Sequence, residues 1–492
     1  MNISLSKRFK NYIIPIGFVV VNLIWKFLSI NVLPIDHDEP FTVFYSQMSV
    51  SAMYQYLSAG ENNPLFFETL LHFWTKIFGV SPFSVRTMSV LFSSATVYFL
   101  YQLCRKNFNF SVAVIASIIF TASNYHLGFS HEARTYAMFA FFVTVSMYMF
   151  FELIRNPSKK NIWILGIINI LLVYSHFFAL FIPFVQLVCC ILRKDLRKTV
   201  LKKFLWSCLI TFVGYLPMLF VLVPRFFESA SKGTWLGPAY LNDLLYILKL
   251  FVNNDSFKKI FALIFVIAGI IHLIKTRNIK IPTNTFIISA WFLIPFCTMF
   301  IVSHERFFYT IPMFLDRYMI HTSMPFYILA AIALASIGET IPYKKISICI
   351  YALFGILMIS SMRWPYDGNK MPEIVQLVNK HKTDKTVIYL APQYYILNFC
   401  SNYDYSYFKN VPDEKPFENL LEKLAENNIY GIYTSHELRK ELLAENDRVI
   451  YIDLAAKVLY PNNAIIDSLQ TTVKSSEKFI INGDRDVWVF DY

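Results

Sequence analysis

Eleven apolar stretches run through the first three quarters of the chain, over residues 12–33, 82–101, 109–123, 135–154, 161–175, 177–192, 204–223, 259–275, 283–302, 318–338 and 345–362. A helix needs on the order of 20 apolar residues to cross about 30 Å of hydrocarbon, so each stretch predicts a membrane-spanning helix. The first run is too long for a signal-peptide core and has no small-x-small site before Asp36, which predicts an uncleaved first span. After Trp364 the pattern changes. Short β-rich runs at 386–390, 429–433, 449–452 and 487–490 alternate with helical patterns such as 417–426, as in a small soluble α/β domain. The predicted fold class is therefore a polytopic α-helical membrane protein with about eleven transmembrane helices over residues 1–363, followed by an α/β domain over 364–492. A long first outer loop, 34–81, interrupts the membrane part.

Charge orients the spans. Lys7, Arg8, Lys10, Arg105, Lys106, Arg155, Lys159, Lys160, the Arg193 to Lys203 cluster, Lys275, Arg277, Lys280, Lys344 and Lys345 fall on one side. That makes about nineteen basic residues against about eight in the opposite loops. The N-terminus is expected in the cytoplasm, and an odd number of spans then puts 364–492 on the outer side. Composition agrees: 56% of the 492 residues are hydrophobic and only 16% charged, which excludes an ordinary soluble enzyme. The net charge of +12 reads as membrane orientation rather than as a nucleic-acid surface. Seven cysteines show neither a disulfide framework nor metal-knuckle spacing, and no glycine-rich nucleotide loop occurs.

The outer loops collect the ionisable residues. Pro34-Ile35-Asp36-His37-Asp38-Glu39-Pro40-Phe41 follows span one, and Glu61 precedes Asn62-Asn63-Pro64-Leu65. Later loops bring His126, then His131-Glu132-Ala133-Arg134-Thr135-Tyr136, then His176, His304-Glu305 and Asp316-Arg317-Tyr318. Carboxylates at a membrane interface are solvated, paired or used. Asp36 reads as part of a solvated loop, and Asp38 as a general base toward an acceptor hydroxyl. Glu132, Arg134 and Tyr136 would fan apart on a helix, so at least one belongs to the loop or faces a cavity. Arg134 either neutralises Glu132 or grips a phosphate, and Arg317 has the same choice with Asp316. His131, His176, His304 and His321 lack the i, i+4 spacing of a metal signature and read as locally hydrogen-bonded. Lys26 and Arg86, near the outer ends of spans, are placed to snorkel, and Arg86 alternatively to pair with a loop carboxylate.

In order along residues 12–340, five elements resemble the GT-C glycosyltransferases, in particular the protein O-mannosyltransferase-like and lipid A aminoarabinose transferase-like enzymes. They are Asp38-Glu39; Asn63-Pro64-Leu65-Phe66-Phe67; Phe78-Gly79-Val80 with Phe83-Ser84-Val85-Arg86; Glu132-Ala133-Arg134-Thr135-Tyr136; and Arg317-Tyr318 with Pro325. The resemblance implies an integral membrane enzyme that moves a sugar from a polyprenyl-phosphate donor to a lipid, glycan or protein acceptor on the outer face of a bacterial inner membrane. It implies Asp38, with Glu39 beside it, as the acceptor-activating carboxylate. Arg134 and Arg317 would hold the carrier phosphate with support from Tyr136, and Glu61 would take the acidic place before the Pro-Leu element. Here the family's double proline or Lys-Pro-Pro is replaced by Asn62-Asn63-Pro64.

The residues also bear on the chemistry directly. No nucleotide fold is present, and the acids and guanidinium groups gather where a lipid-borne donor is available. A base and charge-neutralising arginines suffice for an inverting displacement, so no cofactor is required and a divalent metal ion is optional. A transporter or flippase is the rival from another class, and would want deep mid-span acids; a surface-polysaccharide ligase or polymerase is the third reading. In the last domain, Tyr394, Tyr395, Tyr403, Tyr405 and Tyr407 either stack on sugars or fill the core.

Overall fold

The computed structural model describes residues 6, 9–36, 38–58, 64–232, 236–276, 281–305, 312–365 and 370–492. The chain forms two compact units. One comprises Met1–Ile30, Gly60–Phe67 and Arg86–Trp364; the other comprises Asn31–Ala59, Glu68–Val85 and Pro365–Tyr492.

The first unit is helical, and each of the eleven apolar stretches falls on helix. Among the described residues, seven helices are long and apolar enough to span a membrane: Phe9–Ser29, Pro82–Asn107, Tyr136–Arg155, Leu201–Val221, Asp255–Lys275, Thr283–Ser303 and Asp316–Thr340. Phe110–Thr121 and Asn124–Ser130, bent by 59° at their junction, make an eighth if they form one broken span. The bend has a local cause: the Ser123 hydroxyl accepts the His126 N–H and starts a new helix. Lys159–Ser175 and Lys344–Ser360, of 17 residues each, and the shorter Phe177–Leu192 fall below that length, so the predicted eleven spans exceed those that qualify. The lipid-facing surface is explicit on Asp255–Lys275, where Leu263, Val266, Ile270 and Ile274 are exposed at helical spacing.

Helices in lipid gain little from hydrophobic contact with one another and associate through close approach and internal hydrogen bonds. Both occur here. Gly166 on Lys159–Ser175 has no room for a side chain, since a Cβ there would come within 2.8 Å of Ile210 Cγ2 on Leu201–Lys232. Gly214 likewise makes way for Ile170, and its carbonyl accepts the Tyr174 hydroxyl at 3.1 Å. Ser146, Asn169 and Gln186, from three successive helices, close a buried polar triangle with contacts of 2.6, 2.9 and 3.4 Å. Each orphan group of that triangle meets another, which fixes the helices around residues 131–176.

The second unit is built on a five-stranded sheet of order β2-β1-β3-β5-β4, with β1 Thr386–Ala391, β2 Ile429–Gly431, β3 Arg448–Leu454, β4 Ser475–Asn482 and β5 Arg485–Asp491. β1 runs parallel to β2 and β3, while β5 is antiparallel to both β3 and β4. One face buries Val387, Tyr389, Val449, Tyr451 and Phe490 against Ala456, Ile465 and Leu469. Helix Met371–His381 covers the other through Ile374, Val375 and Val378. β4 escaped the sequence pattern because it is an edge strand. Its Ser475-Ser476-Glu477-Lys478 start is exposed on both faces and carries no alternation to read. The loop residues of this unit are tied to its C-terminal part: Asp413 Oδ1 accepts the Ser49 N–H at 2.7 Å, and Phe44 meets Phe408 edge-on at 5.9 Å.

Candidate functional site

In the helical unit the site is assembled from three chain segments. The first is the turn 131–135, which carries Glu132 and Arg134 and delivers Tyr136 as the first residue of Tyr136–Arg155. Glu132 and Arg134 are half-buried and Tyr136 is buried. The fanning expected of a helix is thus avoided, because two of the three residues precede it. The second segment is the break at His176, between Lys159–Ser175 and the turn Phe177–Leu180. The third is the turn Asp316–Met319, which carries Arg317 and feeds helix Ile320–Thr340.

Hydrogen bonds and rings lock the segments together. The Thr135 hydroxyl donates to the Ser175 carbonyl at 2.6 Å. The Tyr125 hydroxyl donates to the Asp316 carbonyl, and Tyr125 meets Phe129, which in turn meets Tyr136. His176 lies face to face with Phe139 at 4.8 Å and sits 6.0 Å from the Tyr136 ring and 5.7 Å from the Tyr318 ring. The Arg317 guanidinium is 5.7 Å from the Tyr318 ring centre. Electrostatics agree with this packing. Burial holds the His176 imidazole down to about 3, and the nearby His321 ring and the Arg134 and Arg317 guanidinium groups push in the same direction. Arg134 and Arg317, more than 180 residues apart in sequence, thus both bear on the charge state of one histidine. The chemistry available is that of a cationic, aromatic-walled recess suited to an anion.

A second group lies near the end of the first span. Lys26 does not snorkel. It is 2% exposed, and its Nζ donates to Asn22 Oδ1 at 3.0 Å and to Ser93 Oγ at 2.8 Å. Asn22 in turn donates to Thr121 Oγ1, and His131 Nε2 donates to the Lys26 carbonyl at 3.1 Å. Arg86 is 1% exposed and donates to the Ile30 carbonyl, so it too is an interior residue that holds the end of that helix. Partners from separate helices displaced the expected route to the surface.

The carboxylates expected to act belong to the other unit. Asp38 is half-buried in the turn before helix Glu39–Tyr45, and Glu39 is 3% exposed with Oε2 accepting the Asp36 N–H at 3.4 Å. Asp36 is not solvated: it is 7% exposed and accepts from Asn398 Nδ2 at 2.8 Å. Glu61 lies outside the described residues. Among the described residues no three His, Cys, Asp or Glu side chains are grouped to hold a metal ion.

His321 and His176 read from sequence as locally hydrogen-bonded histidines in preference to metal ligands, and neither was placed in the site. The signal for the first was available: it stands four residues after Arg317, one helical turn on, and so shares its face. For Lys26 the sequence showed only Asn22, one helical turn back; Ser93 and Thr121 join that pair only in three dimensions.

Comparison with known proteins supplies the wider setting. The model of the dolichyl-phosphate-mannose-protein mannosyltransferase family matches residues 62–222, less than half of the chain. ArnT from Cupriavidus metallidurans in the apo state aligns over 96% of this chain and 97% of its own, with a TM-score of 0.59 at 12% identity. ArnT bound to undecaprenyl phosphate aligns equally fully, with a TM-score of 0.57 at 12% identity. The Archaeoglobus fulgidus oligosaccharyltransferase in its apo form covers 94% of this chain and 72% of its own, with a TM-score of 0.54 at 10% identity. No curated protein sequence matches.

Proposed function

We propose that this chain, a multi-pass membrane protein of GT-C fold, is a glycosyltransferase that takes a sugar from a polyprenyl-phosphate carrier and delivers it to an acceptor hydroxyl. The observation that carries the reading is that the turns bearing Arg134 and Arg317 both close on His176, the first through the Thr135 hydroxyl on the Ser175 carbonyl and the second through the Tyr318 ring. Two guanidinium groups held by separate segments suit a phosphate whose negative charge grows as it leaves. ArnT holding undecaprenyl phosphate, and the match to the mannosyltransferase family model, support a donor of this kind.

The chemistry follows from the assigned roles. The acceptor oxygen attacks the anomeric carbon, the bond from that carbon to the phosphate oxygen breaks, and its electron pair leaves with the polyprenyl phosphate. Asp38 takes the acceptor's proton, with Glu39 beside it, and a single displacement inverts the anomeric centre. Arg134 and Arg317 neutralise the leaving phosphate, Tyr136 and Glu132 orient that site, and Arg86 holds the end of the first span. The reaction requires no cofactor. The isoprenoid needs an apolar berth, which an otherwise unassigned cavity of about 520 Å³ supplies. Leu244, Leu248, Phe265, Phe292, Phe296 and Phe326 line it. Phe326 follows Arg317 by nine residues, roughly 13 Å along the helix, so one element carries both a phosphate contact and the tail surface.

The membrane part, 1–363, would lie in a plasma membrane with its N-terminus cytoplasmic, and 364–492 would form the extracytoplasmic domain. The direct test incubates the purified protein with a panel of polyprenyl-phosphate sugars and detects released carrier phosphate. Release from at least one donor in the presence of acceptor is expected. Release from none, by protein that is folded and monodisperse, overturns the reading.

A further inference from the structure

Two histidines in the recess have hydrogen-bonding capacity that the fold leaves unused. The backbone decides which nitrogen of each ring carries its proton. Phe178 N–H points at His176 Nδ1 at 3.2 Å, so Nδ1 is the bare acceptor and Nε2 bears the hydrogen. His321 Nδ1 stands 2.8 Å from the Tyr318 carbonyl, which only accepts, so here Nδ1 bears the hydrogen and Nε2 is bare. Both Nε2 atoms are buried without a hydrogen-bond partner, in residues 1% and 0% exposed. One unmet donor and one unmet acceptor thus lie on rings that share Phe139 as neighbour at 4.8 and 5.5 Å.

The combination selects among ligands. A phosphate ester oxygen only accepts; it would satisfy His176 and meet the lone pair of His321 unfavourably. A hydroxyl does both, accepting from His176 Nε2–H and donating to His321 Nε2. Phe139 and Phe178 stack on His176 and Phe181 stacks on His321, so the rings are fixed in plane and a ligand meets their nitrogens along the ring edge. Leaving two buried polar atoms unpaired is costly, and binding of the right group would remove that cost.

We propose that His176 and His321 form the sugar subsite of the donor, reading one hydroxyl of the transferred sugar beside the arginines that hold its phosphate. The assignment rests on the glycosyltransferase reading above. It also separates two tasks: Arg134 and Arg317 recognise the carrier, which any lipid-phosphate sugar presents, whereas the histidine pair recognises what the carrier bears.

The test compares binding of bare polyprenyl phosphate with binding of its sugar-loaded form to the full chain, for wild type, His176→Phe and His321→Phe. Phenylalanine keeps the ring and its stacking and removes the polar atoms. Wild type is expected to prefer the loaded lipid. Each variant should lose that preference by roughly tenfold while its affinity for bare polyprenyl phosphate stays within about twofold, tenfold corresponding to 1.4 kcal/mol. An undiminished preference in both variants overturns the subsite and leaves the glycosyltransferase reading standing. Wild-type protein that binds neither lipid overturns that reading, and the subsite with it. Donors lacking one sugar hydroxyl at a time provide a measurement without mutation. One position should cost wild type as much as the histidine variants lose, and equal tolerance of every deoxy donor counts against the pair.

Discussion

The Thr135 hydroxyl reaches the Ser175 carbonyl at 2.6 Å, joining the residue after Arg134 to the residue before His176. The turn that carries Arg134 and the break at His176 are thereby held as one piece, although some forty residues and two helices separate them. Thr135→Val preserves shape and removes the donor. It should lower stability by about 1 kcal/mol, the usual net worth of such a bond. It should also raise the donor KM with little change in kcat, because placement rather than chemistry is disturbed. Thermal unfolding in detergent and steady-state kinetics check the two parts separately, and an unchanged KM would confine Thr135 to a structural role.

Asp38 is placed in the mechanism as the base, so Asp38→Asn should reduce transfer by about 10²- to 10⁴-fold, the usual worth of general base catalysis. Binding of polyprenyl phosphate should persist, since no step assigned to Asp38 involves the carrier. The informative comparison is single-turnover transfer against carrier affinity in the same preparation. Wild-type turnover by the variant would remove Asp38 from the mechanism.

Arg134→Ala and Arg317→Ala should each weaken carrier affinity, by tenfold or more if the guanidinium bonds the phosphate directly. Lysine should restore the charge and only part of the affinity, because an ammonium lacks the planar fork that matches phosphate oxygens. Affinity for polyprenyl phosphate, titrated by intrinsic fluorescence, distinguishes the cases. Full recovery with lysine would indicate a long-range charge effect in place of a bidentate contact.

What the sequence revealed divides along physical lines. The helices were legible because lipid demands long apolar runs, and four of the five strands because they are buried and β-rich. β4 was not, being polar on both sides of an exposed edge. Arg134 and Arg317 were legible as chemistry, for a guanidinium at an interface is costly enough to need a reason. That the turns bearing them both close on His176 was not, since nothing in one dimension brings residues 134 and 317 together. Lys26 shows the opposite failure: a general rule about reach predicted the surface, and Asn22 one turn back on its own helix, itself bonded to Thr121, together with Ser93 on another helix, held the side chain inside. Asp36 failed for the same reason, with Asn398 lying more than 300 residues away in sequence.

The α/β fold carries its own pH signature at Asp453. This residue ends β3, is 0% exposed, and accepts the Ala456 N–H through Oδ1 at 2.7 Å. Burial raises its carboxyl above the ordinary value and the nearby Asp486 adds to the rise, while Lys457 and backbone N–H groups oppose it. A carboxyl whose folded pKa is raised favours the folded state fully below its unfolded value of about 3.9, and that contribution disappears as pH climbs through the folded value. Asp453→Asn keeps an oxygen for the Ala456 N–H and removes the titration. The melting temperature of the variant should therefore gain on wild type as pH rises from 4 to 8, measured on the full chain. A gap that narrows with rising pH would mean that Lys457 and Asp453 interact more strongly than burial opposes them.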